Sequence, residues 1–180
     1  MDRRLILIGL ASGIAGPALA QGTRSAVPTG SGTTPAAGAP LGTAEVEHGQ
    51  KTAIAGAASL ETSNMALKKA SNARVKQFAQ FEHDEQTTIA EVLKMVDPSL
   101  GSSKPDAKMA DVAQKLNAMS GAEFDKAYVA AQIEGHQILL AIQEDYMKSG
   151  RNREHLGVAK LARGQIKEHL VMLGELQKMS

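Results

Sequence analysis

The 180-residue chain has no cysteine and no tryptophan, and it has only two tyrosines and three phenylalanines. Without cysteine there is no disulfide, no thiolate metal ligand and no thiol nucleophile. A lipid anchor carried on a cysteine is excluded for the same reason. Few aromatic faces remain on which bases or sugars could stack. Charge of one sign is not in excess either, since 20 basic residues face 19 acidic ones. Such a balance provides no basic face for nucleic acid or anionic lipid. No Gly-x-Ser-x-Gly, P-loop or Gly-x-Gly-x-x-Gly motif occurs, so nucleophilic catalysis has no local signature. Beyond the first 20 residues no stretch is apolar enough to span a bilayer.

What is present begins with residues 1–20, which read as a secretory signal peptide. Arg3 and Arg4 make a basic start, Leu5–Ala15 an apolar run, and Ala18-Leu19-Ala20 a small-residue cleavage site. The apolar run is short for a membrane anchor, and Gly13, Gly16 and Pro17 interrupt it. Cleavage after Ala20 and a periplasmic or secreted location are expected. The mature chain then carries 18 basic and 18 acidic residues.

Residues 21–43 are expected to be a disordered linker. Eighteen of the 22 residues from Gln21 to Gly42 are Gly, Ser, Thr, Pro or Ala. Such a segment buries too little apolar area to offset its ordering entropy. A single helical domain is expected over residues 44–180.

Within that domain the breaks are marked by capping and helix-stopping residues. A first helix is predicted over residues 44–70, ended by Ser71-Asn72. A second covers 73–96 and stops at Asp97-Pro98, because proline cannot continue a helix. A short helix follows over 106–119, with Met109, Val112, Ala113 and Leu116 at helical spacing. Ser120-Gly121-Ala122-Glu123 has capping-box spacing and opens a third long helix to Lys148. Asn152 opens the last, over 153–179. No segment reads as a strand. Helices of about 25 residues and about 37 Å, joined by short loops, imply an all-α, antiparallel four-helix bundle. One extra short helix sits between the second and third long ones.

Placing side chains at 100° per residue puts several polar groups on core-facing stripes. On the second helix Glu82 and Glu85 share a stripe with Phe78, Phe81, Ile89, Val92 and Val96. On the last helix His169 is central among Val158, Ala162, Ile166, Leu173 and Leu176, with His155 and Gln165 on the same stripe. On the first helix Glu61 lies at one edge of the apolar face. On the third long helix the stripe is Phe124, Ala127, Tyr128, Ala131, Ile138 and Ile142, with His136 off its edge. Buried carboxylates are costly unless a cation, a histidine partner or a retained proton compensates them. Carboxylates and imidazoles on facing helices are how bundles hold iron, manganese or zinc. Glu61, Glu82, Glu85, His136 and His169 are therefore the candidate metal ligands. The chain lacks the Glu-x-x-His pairs of carboxylate-bridged di-metal bundles and has Glu82-x-x-Glu85 instead. His83 and Asp84 point outward, and His48 and His155 near helix ends are assigned no chemistry. The methionines, at scattered helical positions, read as core filler.

Several segments together resemble an exported, ferritin-like bacterial family known as domain of unknown function 4142. They are Lys69-Ala70-Ser71-Asn72 followed by Val75-Lys76-Gln77-Phe78-Ala79, then Phe124-Asp125-Lys126-Ala127-Tyr128 with His136 eight residues on, then Ile166-Lys167-Glu168-His169-Leu170. The likeness covers about residues 45–177. It implies a ferritin-like bundle in the periplasm, with Glu61, His136 and His169 in the family's polar positions. Where the family shows Asp-His on the second helix, this chain has Glu85-Gln86, with Glu82 one turn earlier.

Three functional expectations follow. One is a non-catalytic envelope or stress-related module, acting with an envelope partner or as a homo-oligomer. Another is a ferritin-like metal-binding protein, an oxidase or a metal store. A hydrophobic-ligand carrier, with its cavity beside the small residues of the first helix, is a third.

Overall fold

The computed structural model describes residues 41–179. The expected signal peptide, and the expected linker up to residue 40, lie outside the described residues. Five helices take in 85% of the described chain, and no strand occurs in it. They are α1 (Thr43–Lys69), α2 (Ala73–Val96), α3 (Ala107–Ala118), α4 (Gly121–Ser149) and α5 (Arg153–Lys178). Each expected helix is present, and the boundaries agree within one residue wherever the sequence gave them.

The caps account for most of these boundaries. Asn72 accepts from the Arg74 amide, Asp106 from Met109, and Asn152 from His155. Each satisfies one of the amides that a helix N-terminus leaves without an intrahelical partner. Ser120 is different: it is the N-cap of α4, but its side chain makes no capping bond. The capping box expected at Ser120–Glu123 therefore does not form. Gly121, at φ 62°, turns the chain there instead, a conformation glycine tolerates without a steric penalty.

The long helices pack in a closed cycle: α1 on α2, α2 on α5, α5 on α4, and α4 on α1. The α2–α5 seam is the sparsest of the four, and α3 lies against α1 and α4. Lys69 Nζ bonds the Asn117 and Met119 carbonyls, which ties the end of α1 to the end of α3.

The turns between long helices are held by carboxylates from elsewhere in the chain. Asp125 of α4 accepts from the Ser71 amide at 3.1 Å, the Asn72 amide at 2.8 Å and the Ser71 hydroxyl. Glu45 of α1 accepts from the Arg151 and Asn152 amides at 3.1 and 3.2 Å and from the Tyr146 hydroxyl at 2.9 Å. Each helical hairpin thus anchors the turn of the other. At Gly150 a Cβ would collide with the Tyr146 ring, so this turn needs glycine for close approach.

The core is divided. One apolar cluster joins Val75, Phe78, Leu116, Phe124, Tyr128 and Leu173. A second joins Ala55, Leu139, Ala162 and Ile166. Polar side chains fill much of the remaining inward surface. On α4 the buried positions are 124, 125, 128, 129, 132, 136, 139, 143 and 146, so Gln132, His136 and Gln143 face inward. His136 is 1% exposed, while Ile138 is 36% exposed. The α4 stripe is thus rotated from the one expected, and His136 is central to it. On α2, Phe81 and Val92 are exposed, and the buried face runs through Val75, Phe78, Ala79, Glu82, Gln86 and Leu93.

Candidate metal centre

Three helices bring one polar atom each to a common point. Glu82 Oε2 from α2 lies 3.2 Å from His136 Nε2 of α4 and 3.0 Å from His169 Nδ1 of α5. The two histidine nitrogens are 3.2 Å apart. Glu82 is fully buried, His136 1% exposed and His169 8% exposed. The Phe78 ring closes one side, with centroids 5.9 Å from His136 and 5.1 Å from His169.

The remaining contacts fix which atoms carry protons. His136 Nδ1–H donates to the Gln132 carbonyl at 2.8 Å, so the neutral ring presents a lone pair at Nε2. The Ser59 hydroxyl donates to Glu82 Oε1 at 2.6 Å, which leaves Oε2 for the histidines. On the outer side of His169, Glu85 Oε2 stands 3.4 Å from Nε2. That carboxylate favours a proton on Nε2 and a lone pair on Nδ1. Three electron-rich atoms then crowd one point, which calls for a positive charge between them.

Burial raises the Glu82 carboxyl, but the His136 and His169 imidazoles and the Ser59 hydroxyl beside it outweigh burial and hold the group well below the usual carboxylate range. Burial lowers His169, yet Glu82 and Glu85 beside it carry it above the ordinary imidazole value. Burial raises Glu85, with Glu82 adding to the effect. A proton on His169 is one way to supply the missing charge. A cation is the other. Donors about 2.1 Å from a divalent ion stand about 3.0 Å apart in an octahedron and about 3.4 Å apart in a tetrahedron. The observed edges of 3.0 to 3.2 Å fall in that interval. Among the described residues, these three side chains form the group of acidic and imidazole donors close enough to share an ion.

The candidate ligands named from sequence therefore separate. Glu82, His136 and His169 meet. Glu85 stands behind His169, with a side chain 7% exposed and an Oε1 that has no hydrogen-bond partner. Glu61 is exposed and lines a surface cleft with Ala57, Leu60, Asn64 and Met65. One position along from Thr62, it is turned by about 100° from the inward line of Ser59, Thr62 and Ser63. That inward line completes the site's polar surroundings. Gln132 Oε1 stands 2.8 Å from the Ser59 hydroxyl oxygen and its amide nitrogen donates to Thr62 at 3.0 Å, while Ser63 pairs with the Tyr128 hydroxyl at 2.9 Å. These hydroxyl and amide groups were not anticipated, because short polar side chains carry no hydrophobic signal.

A second polar cluster contains residues to which the sequence assigned no chemistry. His48 and His155 are 3% and 0% exposed, and their Nδ1 atoms are 3.0 Å apart. Gln143 donates to Thr52 at 3.1 Å, so its Oε1 accepts from His48 Nε2–H at 2.7 Å. His155 Nδ1–H then donates to His48, and His155 Nε2 has no partner. The Tyr146 ring stacks on His48 at 4.2 Å. Proximity to helix ends assigned these rings no chemistry, yet both are buried, with Tyr146 covering His48.

The family model described as "Domain of unknown function (DUF4142)" matches residues 31–176. The chain belongs to the DUF4142 family. The match includes every residue of both polar clusters and begins inside the segment expected to be linker. No curated protein and no solved structure matches the chain. Membership of DUF4142 names no reaction, so function has to be argued from the side chains.

Proposed function

We propose that this protein holds a divalent transition-metal cation, iron, manganese or zinc, on Glu82, His136 and His169. The observation that carries this is the convergence of Glu82 Oε2, His136 Nε2 and His169 Nδ1 at 3.0 to 3.2 Å. His136 Nδ1 bonds the Gln132 carbonyl, and Glu85 Oε2 faces His169 Nε2 at 3.4 Å. Outer groups of this kind orient the histidine ligands of metal proteins. Three protein donors leave coordination positions open for water or a small ligand. The closed cycle of α1, α2, α5 and α4 supports an antiparallel, ferritin-like four-helix bundle as the scaffold. The basic, apolar and small-residue order of residues 1–20 supports export to the periplasm. Among the described residues no helix is long and apolar enough to cross a membrane.

The competing function is a metal-free envelope module in which a proton on His169 balances Glu82. The raised His169 and lowered Glu82 favour it. Elemental analysis of protein purified without chelator separates the two. The cation site predicts one equivalent of metal in the wild type and none in Glu82→Gln. It also predicts a higher Tm on adding Mn²⁺, Fe²⁺ or Zn²⁺. A ligand at one hundred times its Kd adds about 2.7 kcal/mol when it binds only the folded state. A metal-free wild type whose melting ignores all three ions overturns the cation site.

A further inference from the structure

The cation site is closed on most sides. Glu82 Oε1 is covered by Ser59, which also bonds Gln132, and Phe78 lies against both imidazoles. The α2–α5 seam is different. It is the sparsest contact in the helix cycle, and a cleft of about 410 Å³ opens there. Its lining includes Phe81, Asp84, Glu85, Thr88, Gln165 and His169. The His169 side chain is 10% exposed, whereas those of His136 and Glu82 are 1% and 0% exposed. Of the three converging groups, then, His169 is the one that solvent reaches, and it is reached through this cleft.

Glu85 stands in the cleft beside it. Its Oε2 is 3.4 Å from His169 Nε2, and its Oε1 is buried with no hydrogen-bond partner. A carboxylate oxygen kept from water and left unpaired is costly. Hydrated divalent cations favour carboxylate oxygen as a first ligand. Glu82 lies one turn away on the same helix, so an ion held at Glu85 is already beside the inner site. Asp84, exposed at the cleft, adds negative potential at its mouth. The opening on the other side of the molecule differs. That pocket, between α1, α3 and α4, has Lys108 and Glu134 among its lining residues, and they pair at 2.6 Å. Lys108 thus offsets Glu134, and Asp106, the other acid of that lining, is engaged as the N-cap of α3.

We infer that Glu85 is the loading ligand of the centre: divalent cations reach Glu82, His136 and His169 through the α2–α5 cleft, binding first to the Glu85 carboxylate. This role presupposes the cation site proposed above. Focusing by a carboxylate in a cleft acts on rates more than on final affinity.

The test is stopped-flow uptake of Zn²⁺ by the chelator-stripped full chain, read by competition with a fluorescent zinc indicator. Glu85→Gln is expected to slow uptake by about tenfold, with one ion still bound, while Kd also weakens because His169 loses the carboxylate behind its Nε2. Glu85→Asp should recover most of the rate, and Glu134→Gln at the opposite opening should load like the wild type. An unchanged rate in Glu85→Gln overturns the loading role and leaves the cation site standing. Loss of the bound ion in Glu85→Gln also overturns it, because Glu85 would then be an inner ligand. Equal slowing in Glu134→Gln shows a general charge effect and overturns it as well. A wild type that binds no Zn²⁺, Mn²⁺ or Fe²⁺ overturns the cation site and the loading role together.

Discussion

Glu82 and Glu85 are one helical turn apart, yet they face different surroundings. Glu82 has polar partners on three sides, Ser59, His136 and His169, while Glu85 has one ion-pair contact and one unpaired oxygen. Their substitutions should therefore act in opposite senses. Glu82→Gln leaves the size of the side chain intact but removes the charge that His136 and His169 answer. Breaking a buried charged network from one side costs about 3 to 5 kcal/mol, so the metal-free variant should show a clearly lower urea midpoint. Glu85→Leu replaces an under-satisfied carboxylate with an apolar group of similar size. In chelated buffer its Tm should rise by a few degrees, about 1 kcal/mol of added stability. A marked fall would show that Glu85 is better satisfied than its contacts indicate.

The helices themselves are ordinary, and their joints carry much of the specificity. Asp125 accepts two backbone amides and a hydroxyl from the α1–α2 turn while 3% exposed. Asp125→Ala strands those donors in a covered site. The expected cost is about 2 to 3 kcal/mol, measurable by chemical denaturation, with α2 losing amide-exchange protection first at its N-terminus. Gly150→Ala should be worse than a usual glycine replacement, because the new methyl meets the Tyr146 ring rather than solvent. Tyr146 must then move away from Glu45 and His48, and a Tm loss of several degrees is expected. By contrast Gly164→Ala, on α5 with nothing near the added methyl, should raise Tm slightly through helix propensity.

For the molecule as a whole, the His48–His155 cluster and Glu45 predict an acid limit to stability. Burial lowers both His48 and His155 from 6.5, with each other's proximity adding to the effect on His48. The unfolded chain therefore takes up protons first, and their penalty is absent well above pH 6.5 and grows as the pH falls below it. Glu45 behaves in the complementary way. Burial raises it, but the Arg151 and Asn152 amides and the Tyr146 hydroxyl bring it down to about 2. Its contribution is full above 4.5, the ordinary value, and is lost as the pH falls toward about 2. Tm measured across this range should decline below pH 6.5 and decline further in the carboxylate range, and it should also fall on the alkaline side as His169, held above its ordinary value, gives up its proton. In Glu45→Gln the second decline should be shallower. Equal slopes in the two proteins would show that Glu45 is not the group responsible.

Helix number, helix ends and the likeness to DUF4142 could be read from residues close together in sequence. Asn72, Asp97-Pro98 and Asn152 act over one turn, so local chemistry determined those boundaries. The central place of His169 was also visible, because its neighbours at helical spacing are large and apolar. His136 was misplaced for the opposite reason. The inward line of α4 runs through Gln132, His136 and Gln143, while alanines and isoleucines lie on its flanks, so hydrophobicity pointed to the wrong face. The same effect hid Ser59, Thr62 and Ser63 and gave Glu61 a prominence that its exposed position does not support. Tertiary structure alone decided that Glu82, His136 and His169 share one point, that Glu85 stands behind them, and that His48 meets His155. These contacts join residues from 33 to 107 positions apart. Their energy depends on which helix faces which and on how water is excluded between them, and neither is encoded in the periodicity of a single helix.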